Sequence, residues 1–179
     1  MSQLTQFRLL ADYNQWMNQK LYTAAAQLSD AALKQDRGAF FGSILGTLNH
    51  LVVADLIWLK RYAACEACAG ALAAVVAQPG PTSLDQCLFH DLAQLTDYRQ
   101  WLDAQILGLL QDLQDSDLTS ILTYRNSQGV TYHKPFASLL VHFFNHQTHH
   151  RGQVSTLLCQ AGEDIGATDL VLLIDDIVP

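Results

Sequence analysis

Residues 139–158 read LLVHFFNHQTHHRGQVSTLL, and this stretch decides the fold prediction. Apolar residues recur in it at three- and four-residue steps, which is the periodicity of a helix with one buried face. Pro135 suits the first turn of that helix, which we expect to run to about Ala161, with Gly162 as its C-terminal stop. The same helix carries four of the seven histidines of the chain.

A helical wheel separates these four histidines. With His142 at zero and about 100° per residue, one apolar face lies between about 60° and 160°. That face holds Phe136, Leu139, Leu140, Phe143, Val154, Leu157 and Leu158. His150 falls at about 80° and His146 at about 40°, whereas His149 falls at about −20°. The wheel therefore predicts that His146 and His150 point inward and that His142 and His149 lie at the rim.

Three earlier segments have helical periodicity as well. The first runs from about Leu4 to Gln27, and the second follows Gly42, with Ser43 as N-cap, to about Tyr62. The third is predicted from Ser83, which has capping-box spacing to Gln86, to about Leu113. The second is apolar nearly all round, as is typical of a helix inside a bundle. We therefore predict an all-α four-helix bundle, with residues 1–179 forming one domain.

The connections differ in character. A polar stretch at 29–38 joins the first two helices, and an Ala-rich stretch from Ala63 ends in a loop at Pro79-Gly80-Pro81. Before the fourth helix, Leu118–Tyr124 and Val130–Tyr132 are β-prone and flank turn residues 126–129, which predicts a small hairpin-like excursion. The tail, Thr168–Ile177, is a short apolar segment.

Composition narrows the function classes. Half of the residues are hydrophobic and 15% are charged, which is enough apolar material for a core. Ten Lys and Arg against 17 Asp and Glu give a formal charge of −7, and a diffuse acidic surface repels phosphate backbones. We therefore expect neither a nucleic acid nor an anionic membrane as partner.

The N-terminal sequence and the small number of cysteines favour a reducing compartment. The first eight residues lack a basic stretch followed by an apolar run, so we expect no signal peptide. The most apolar stretch, 44–59, contains polar residues and is too short to span a bilayer comfortably. Four cysteines do not suggest a disulfide framework. The expected location is the cytoplasm, with reduced thiols.

Histidine spacing indicates a metal site. Two imidazoles at i and i+4, such as His146 and His150, lie one turn apart on one helix face and can bind one divalent ion. The pattern is common by itself, so a third ligand must come from elsewhere. His50, in the apolar second helix, is the better candidate, although a lone buried histidine is more often a core residue. His90 on the third helix and His133 in a loop are poorer candidates.

Several known metal sites do not fit the residue counts. Glu66 and Glu163 are the two glutamates, and neither has a histidine three residues later, as a ferritin-like site requires. The His-Glu-x-x-His motif of zincins is absent. His50 and Asp55 have a hemerythrin-like spacing, but the carboxylate-bearing His-x3-Glu element is missing. Cys65-x-x-Cys68 has no second pair to complete a zinc site.

The motif at Asn145–Gln153, NHQTHHRGQ, resembles the NHxxHHRGQ signature of the DinB (DinB/YfiT-like) family of metalloenzymes. Three further stretches resemble the same family across the chain. They are Tyr13–Asn18 in the first helix, Gly42–Ile44 leading into Leu48–Leu51 with Asp55 and Trp58, and Gly162 followed by Asp169-Leu170. The resemblance implies a four-helix bundle that binds a divalent metal through His50, His146 and His150. It also implies a homodimer.

The reaction remains open between two classes. Some relatives in the resembled family are S-transferases or isomerases that use a small thiol such as mycothiol or bacillithiol. Three neutral imidazoles leave the ion an open position, where it lowers the pKa of bound water or thiol. The first class is therefore a transferase or hydrolase acting on a small electrophile, with Arg151, Gln153 and Asp55 as candidate supporting groups. The second is a metal-binding bundle without turnover. Imidazole suits Zn, Ni, Fe and Cu alike.

Overall fold

The computed structural model describes residues 2–126 and 128–177 and is dominated by four long helices. In chain order, the helices are α1 (Gln3–Ala25), α2 (Asp30–Lys34), α3 (Ile44–Tyr62), α4 (Glu66–Ala69), α5 (Ala73–Val76), α6 (Leu92–Asp112) and α7 (Phe136–Gln160). Strands β1 (Ile121–Arg125) and β2 (Thr131–Pro135) precede α7. Short 3-10 turns lie at Asp117–Thr119 and Leu170–Leu173.

The four long helices pack as a bundle. Helix α1 contacts α6 and α7, and α3 contacts the same two helices. Buried leucines from all four helices fill the space between them, among them Leu21, Leu48, Leu102 and Leu158. The predicted all-α four-helix bundle is confirmed, as is the small hairpin before the last long helix.

Two predicted helix boundaries are confirmed by their capping geometry. The Ser43 side chain accepts a hydrogen bond from the Gly46 backbone N–H, which satisfies one free donor at the start of α3. Helix α7 begins directly after Pro135 and ends before Gly162, whose φ of +95° is readily adopted only by glycine. The predicted ends of α1 and α7 differ from the observed ends by one or two residues.

The predicted start of the third helix at Ser83 is wrong, since α6 begins at Leu92. Asp91 is its N-cap, and the Asp91 carboxylate accepts a hydrogen bond from the Gln94 N–H. Residues 82–91 instead run as an irregular segment. His90, which the prediction placed on the third helix, therefore lies in the segment before it. The reason is that Asn49 of α3 accepts hydrogen bonds from the backbone N–H groups of Leu88 and Phe89.

The excursion before α7 is a two-stranded antiparallel hairpin. Leu122 pairs with Lys134, and Tyr124 pairs with Tyr132. His133, predicted in a loop, is therefore in a strand. In the turn, Asn126 Oδ1 accepts hydrogen bonds from the Gln128 and Val130 N–H groups. Ser127, part of the predicted turn, lies outside the described residues, as do Met1, Val178 and Pro179 at the ends of the predicted domain.

Two connections contain short helices that the sequence analysis did not predict. Short helix α2 follows Ser29, whose side chain accepts a hydrogen bond from the Ala32 N–H. Short helices α4 and α5 lie in the Ala-rich stretch after α3, where Cys68 and Val75 are buried. None of the helices formed by residues 2–126 and 128–177 combines the length and hydrophobicity needed to cross a membrane.

Candidate metal centre

Three histidines from α3 and α7 meet inside the bundle. His50 comes from α3, and His146 and His150 lie one turn apart on α7. One ring nitrogen from each lies within 4.8 Å of the others. His50 and His150 are buried, and His146 is half-buried. The structure thus brings together the three histidines that the sequence selected.

The spacing of the ring nitrogens fits a metal ion. His50 Nε2 and His146 Nε2 are 3.3 Å apart. Zinc–nitrogen bonds of about 2.0–2.1 Å in tetrahedral geometry place two ligand nitrogens about 3.3–3.4 Å apart. The three ring centroids lie 4.4 to 5.2 Å from one another, so the rings form one compact group.

Two of the imidazoles are oriented through their second nitrogen. His50 Nδ1 lies 2.8 Å from the Leu84 carbonyl oxygen, and His150 Nδ1 lies 2.7 Å from Gln153 Oε1. Since both oxygens are acceptors, each Nδ1 carries the proton and each Nε2 presents its lone pair to the cluster. Metal-ligating histidines are held in this way by carbonyl or carboxylate partners. Gln153, which the sequence analysis named as a candidate supporting group, therefore orients the imidazole of His150.

The segment that carries the Leu84 carbonyl is bonded to α3 through Asn49, the residue that precedes His50. Asn49 Oδ1 accepts hydrogen bonds from the Leu88 and Phe89 N–H groups, and its Nδ2 donates to the Phe89 carbonyl. These bonds attach the irregular segment 82–91 to α3, where the sequence had predicted the start of a helix. Asn49 is buried, so its amide group forms these hydrogen bonds with the protein and not with water.

Phe41 closes one side of the cluster, and sequence reasoning missed it. Its ring stacks on His50 with 3.7 Å between centroids and meets His150 edge-on at 5.5 Å. Two glycines permit this position: Gly42 has a φ of +72°, and a Cβ on Gly46 would lie 2.2 Å from the Phe41 carbonyl oxygen. The residues at the start of α3, Gly42–Ile44, therefore also place the Phe41 ring in contact with the histidines.

The other histidines lie outside the cluster. His142 and His149 are exposed on α7, as the wheel predicted. His142 contacts Trp58 at the rim, whereas His149 lies beside Gln153. His133 Nδ1 lies 2.8 Å from Thr123 Oγ1 in the hairpin.

Burial keeps the cluster uncharged at neutral pH. Loss of hydration, followed by the neighbouring imidazoles of His150 and His50, lowers the pKa of His146 to about 3. Burial also lowers the pKa of His50 and of His150 below the usual value for histidine. Neutral imidazole is the form that ligates metals, so protons compete weakly with an ion at pH 7.

A cavity of about 310 Å³ opens beside the cluster. His50 and His146 form part of its wall, with His142 and Trp58 farther out. Leu84 and neighbouring residues of the 82–91 segment form the facing side. The volume lies at the small end of the range for ligand sites. A small molecule in this cavity can therefore reach two of the three histidines.

Behind the cluster lies a buried ionic network that sequence reasoning missed. Arg99 of α6 donates to Asp55 of α3 at 2.5 Å and pairs with Asp103 at 3.0 Å. Gln147 of α7 also donates to Asp55. Burial raises the pKa of Asp55 to about 6 although Arg99 opposes the rise, so the carboxylate is ionised at pH 7. The Arg99–Asp103 pair, four residues apart in one helix, is the part of this network that has a local sequence signal.

The network continues to α1 and Arg151. Asn14 and Asn18 of α1 donate to the Asp103 carboxylate, and Arg151 donates to Asn14 Oδ1. The Arg151 guanidinium also lies over the Tyr13 ring at 5.3 Å. Arg151 and Asp55, candidate supporting groups from the sequence, therefore join the helices and have no hydrogen bond to the histidine cluster among the described residues. Their role is in the bundle core.

Comparisons with known proteins agree with this architecture. The model of the DinB family matches residues 1–176. Protein DinB of Bacillus subtilis is 27% identical over 160 residues, which cover 89% of this chain and 88% of that protein. A crystal structure of a DinB-like protein from Bacillus cereus is similar with a TM-score of 0.59 and 25% identity, covering 87% of this chain and 91% of the other.

Proposed function

The chain belongs to the DinB family, and we propose that it binds one divalent metal ion through His50, His146 and His150 to activate a small thiol or water. The proposed ion is Zn, Ni or Fe, which imidazole ligands suit. The proposed acceptor is a small electrophile, and residues 1–179 would act as one domain. The convergence of three neutral imidazoles beside an open cavity is the observation that supports this proposal.

A divalent ion at this site would act as a Lewis acid that lowers the pKa of a bound thiol or water and so supplies a nucleophile at neutral pH. The residues of the chain prepare that site. Leu84 and Gln153 hold two imidazoles in the ligating tautomer, and Phe41 covers one side with an apolar ring. The cavity leaves the other side accessible to a substrate.

An external thiol is favoured over an internal one. No cysteine belongs to the cluster found among the described residues. Burial raises the pKa of Cys68 to about 12, so this thiol stays protonated and unreactive. Cys159 lies nine residues beyond His150, roughly 13 Å along the helix axis. Since thiol-dependent relatives exist in the family, we propose an S-transferase or isomerase type of reaction, with hydrolysis as the alternative.

The test is an assay of metal-loaded protein with bacillithiol or glutathione and an electrophilic acceptor, following thiol consumption. We expect metal-dependent turnover that is lost in His50→Ala and kept in His149→Ala, an exposed neighbour of the cluster. Metal-dependent hydrolysis of an ester or amide in the absence of thiol would contradict the transferase reaction and favour hydrolysis. Inactivity in both assays would favour the second candidate class, a metal-binding bundle without turnover.

We also propose a homodimer in the cytoplasm. Val171, Leu172 and Ile174 of the C-terminal segment expose half or more of their side-chain surface, and contiguous exposed apolar groups are typical of interfaces. All four cysteines are free, which suits a reducing compartment. Light scattering should give twice the mass of the chain at micromolar concentration, and a monomer mass would contradict the dimer.

A further inference from the structure

The wall of the cavity away from the histidine cluster contains one charged side chain, Arg61. His50, Ala54, Ile57 and Arg61 follow one another at four-, three- and four-residue steps along α3, so they line one face of that helix. The α carbons of His50 and Arg61 are separated by about 16 Å along the axis, and helical side chains incline toward the N-terminus. Arg61 therefore reaches back into the cavity that the cluster borders at its other end.

The Arg61 guanidinium lies against aromatic rings and has no acidic partner among residues 2–126 and 128–177. It lies 4.6 Å from the centre of the Trp58 ring and 4.8 Å from that of Tyr124. The three ion pairs found within residues 2–126 and 128–177 involve other cations, Lys34 and Arg99. Contact with aromatic faces does not use the N–H groups of a guanidinium, and these are the groups that bind carboxylates.

The charge of the cavity is opposite to that of the whole chain. The residues that line it include no Asp or Glu, and Arg61 is the one Lys or Arg among them. Arg61 therefore gives the cavity a fixed charge of about +1 at pH 7, in a protein of formal charge −7. Desolvation at this half-buried position disfavours the unpaired cation, so an anionic ligand would relieve that cost.

The rest of the wall is largely apolar. Ile57 and Trp58 lie on the α3 side, and Leu84 faces them from the 82–91 segment with 59% of its surface exposed. An exposed leucine at the mouth of a cavity can cover the apolar body of a bound molecule. One guanidinium matches one carboxylate, whereas a phosphate monoester carries nearly two charges.

We propose that this cavity binds a small carboxylate, whose anionic end pairs with Arg61 and whose apolar body lies between Trp58 and Leu84. The opposite end of such a molecule lies at His50 and His146. The presentation of a reacting group to the cluster rests on the proposed function, as does the role of Arg61 in selecting substrates. Arg61 would then determine which thiols or acceptors the protein accepts.

Calorimetric titration of the metal-free protein tests carboxylate binding without any catalysis. The probes are 4-phenylbutyrate and its uncharged amide, which differ little in shape. We expect the acid to bind wild type at least about tenfold more tightly than the amide. Arg61→Gln should abolish this preference, Arg61→Lys should keep part of it, and Arg125→Gln, the same change at an exposed arginine in β1, should preserve it.

Equal binding of acid and amide to wild type, or binding of neither at millimolar concentration, would overturn the proposal. So would an unchanged preference in Arg61→Gln, provided that circular dichroism shows the variant to be folded. A second titration uses cobalt-loaded protein with 6-mercaptohexanoate and 6-mercaptohexanol, followed by the thiolate absorption band. Failure to load cobalt would contradict the proposed function alone, and loading with no preference for the acid would contradict the carboxylate site alone.

Discussion

At the level of single residues, the orientation of each histidine on its helix determines whether it belongs to the cluster. His146 and His150 lie four residues apart on α7 and face His50, whereas His142 and His149 lie on the exposed side of the same helix. The wheel predicts this difference because the direction of a helical side chain follows from its number. The sequence could not reveal Phe41, since its position depends on the close contact between the Phe41 carbonyl and Gly46.

Alanine substitutions should divide these histidines into two groups. We expect His50→Ala, His146→Ala and His150→Ala each to weaken metal binding by more than about 100-fold, since each removes one of three ligands. His142→Ala and His149→Ala are the matched controls and should change affinity by less than about threefold. Competition with a chromophoric chelator measures the affinities. Similar losses for all five variants would mean that the wrong helix face has been assigned.

At the level of secondary-structure elements, helix boundaries depend both on local capping residues and on hydrogen bonds to distant parts of the chain. The Ser43 cap and the stop at Gly162 were predictable because capping depends on neighbouring residues. The capping-box spacing of Ser83 and Gln86 failed as a helix signal, because Asn49 binds the backbone of Leu88 and Phe89 from a distant helix. Such a contact between residues about 40 positions apart has no local sequence signature.

Asn49→Ala should release this segment from α3. The change removes the side chain that accepts from two backbone N–H groups and donates to the Phe89 carbonyl, so we expect a loss of about 1–3 kcal/mol in the free energy of unfolding. Metal affinity should fall about 10-fold or more, because the Leu84 carbonyl no longer orients His50. Urea unfolding and chelator competition measure the two effects.

Asn145→Ala is the control, since Asn145 is exposed on α7 within the same motif as the ligands. It should leave both quantities nearly unchanged. An Asn49→Ala protein that keeps full metal affinity would show that the segment does not position His50.

At the scale of the whole molecule, a buried ionic network joins all four long helices. Asn14 and Asn18 come from α1, Asp55 from α3, Arg99 and Asp103 from α6, and Gln147 and Arg151 from α7. The bundle itself could be predicted from hydrophobic periodicity, but the pairing of polar residues across helices could not, because it depends on how the helices rotate against one another. The cavity could not be predicted for the same reason.

Arg99→Met should destabilise the bundle strongly. It leaves Asp55 and Asp103 buried without their guanidinium partner, and breaking a buried ion pair typically costs about 3–5 kcal/mol. The free energy of unfolding in urea measures the loss, with Arg125→Met at an exposed strand position as control, expected within about 0.5 kcal/mol of wild type. A small loss in Arg99→Met would mean that hydrophobic packing alone fixes the helix arrangement.

Metal binding by the His50, His146 and His150 cluster can be measured without any assay of activity. The most direct test is elemental analysis of protein purified without a metal-affinity step, then stripped with a chelator and reloaded with zinc. We predict about one divalent ion per chain before stripping and after reloading, since the three neutral imidazoles form one site. A protein that is isolated without metal and does not take up a stoichiometric ion on reloading would contradict metal binding by this cluster.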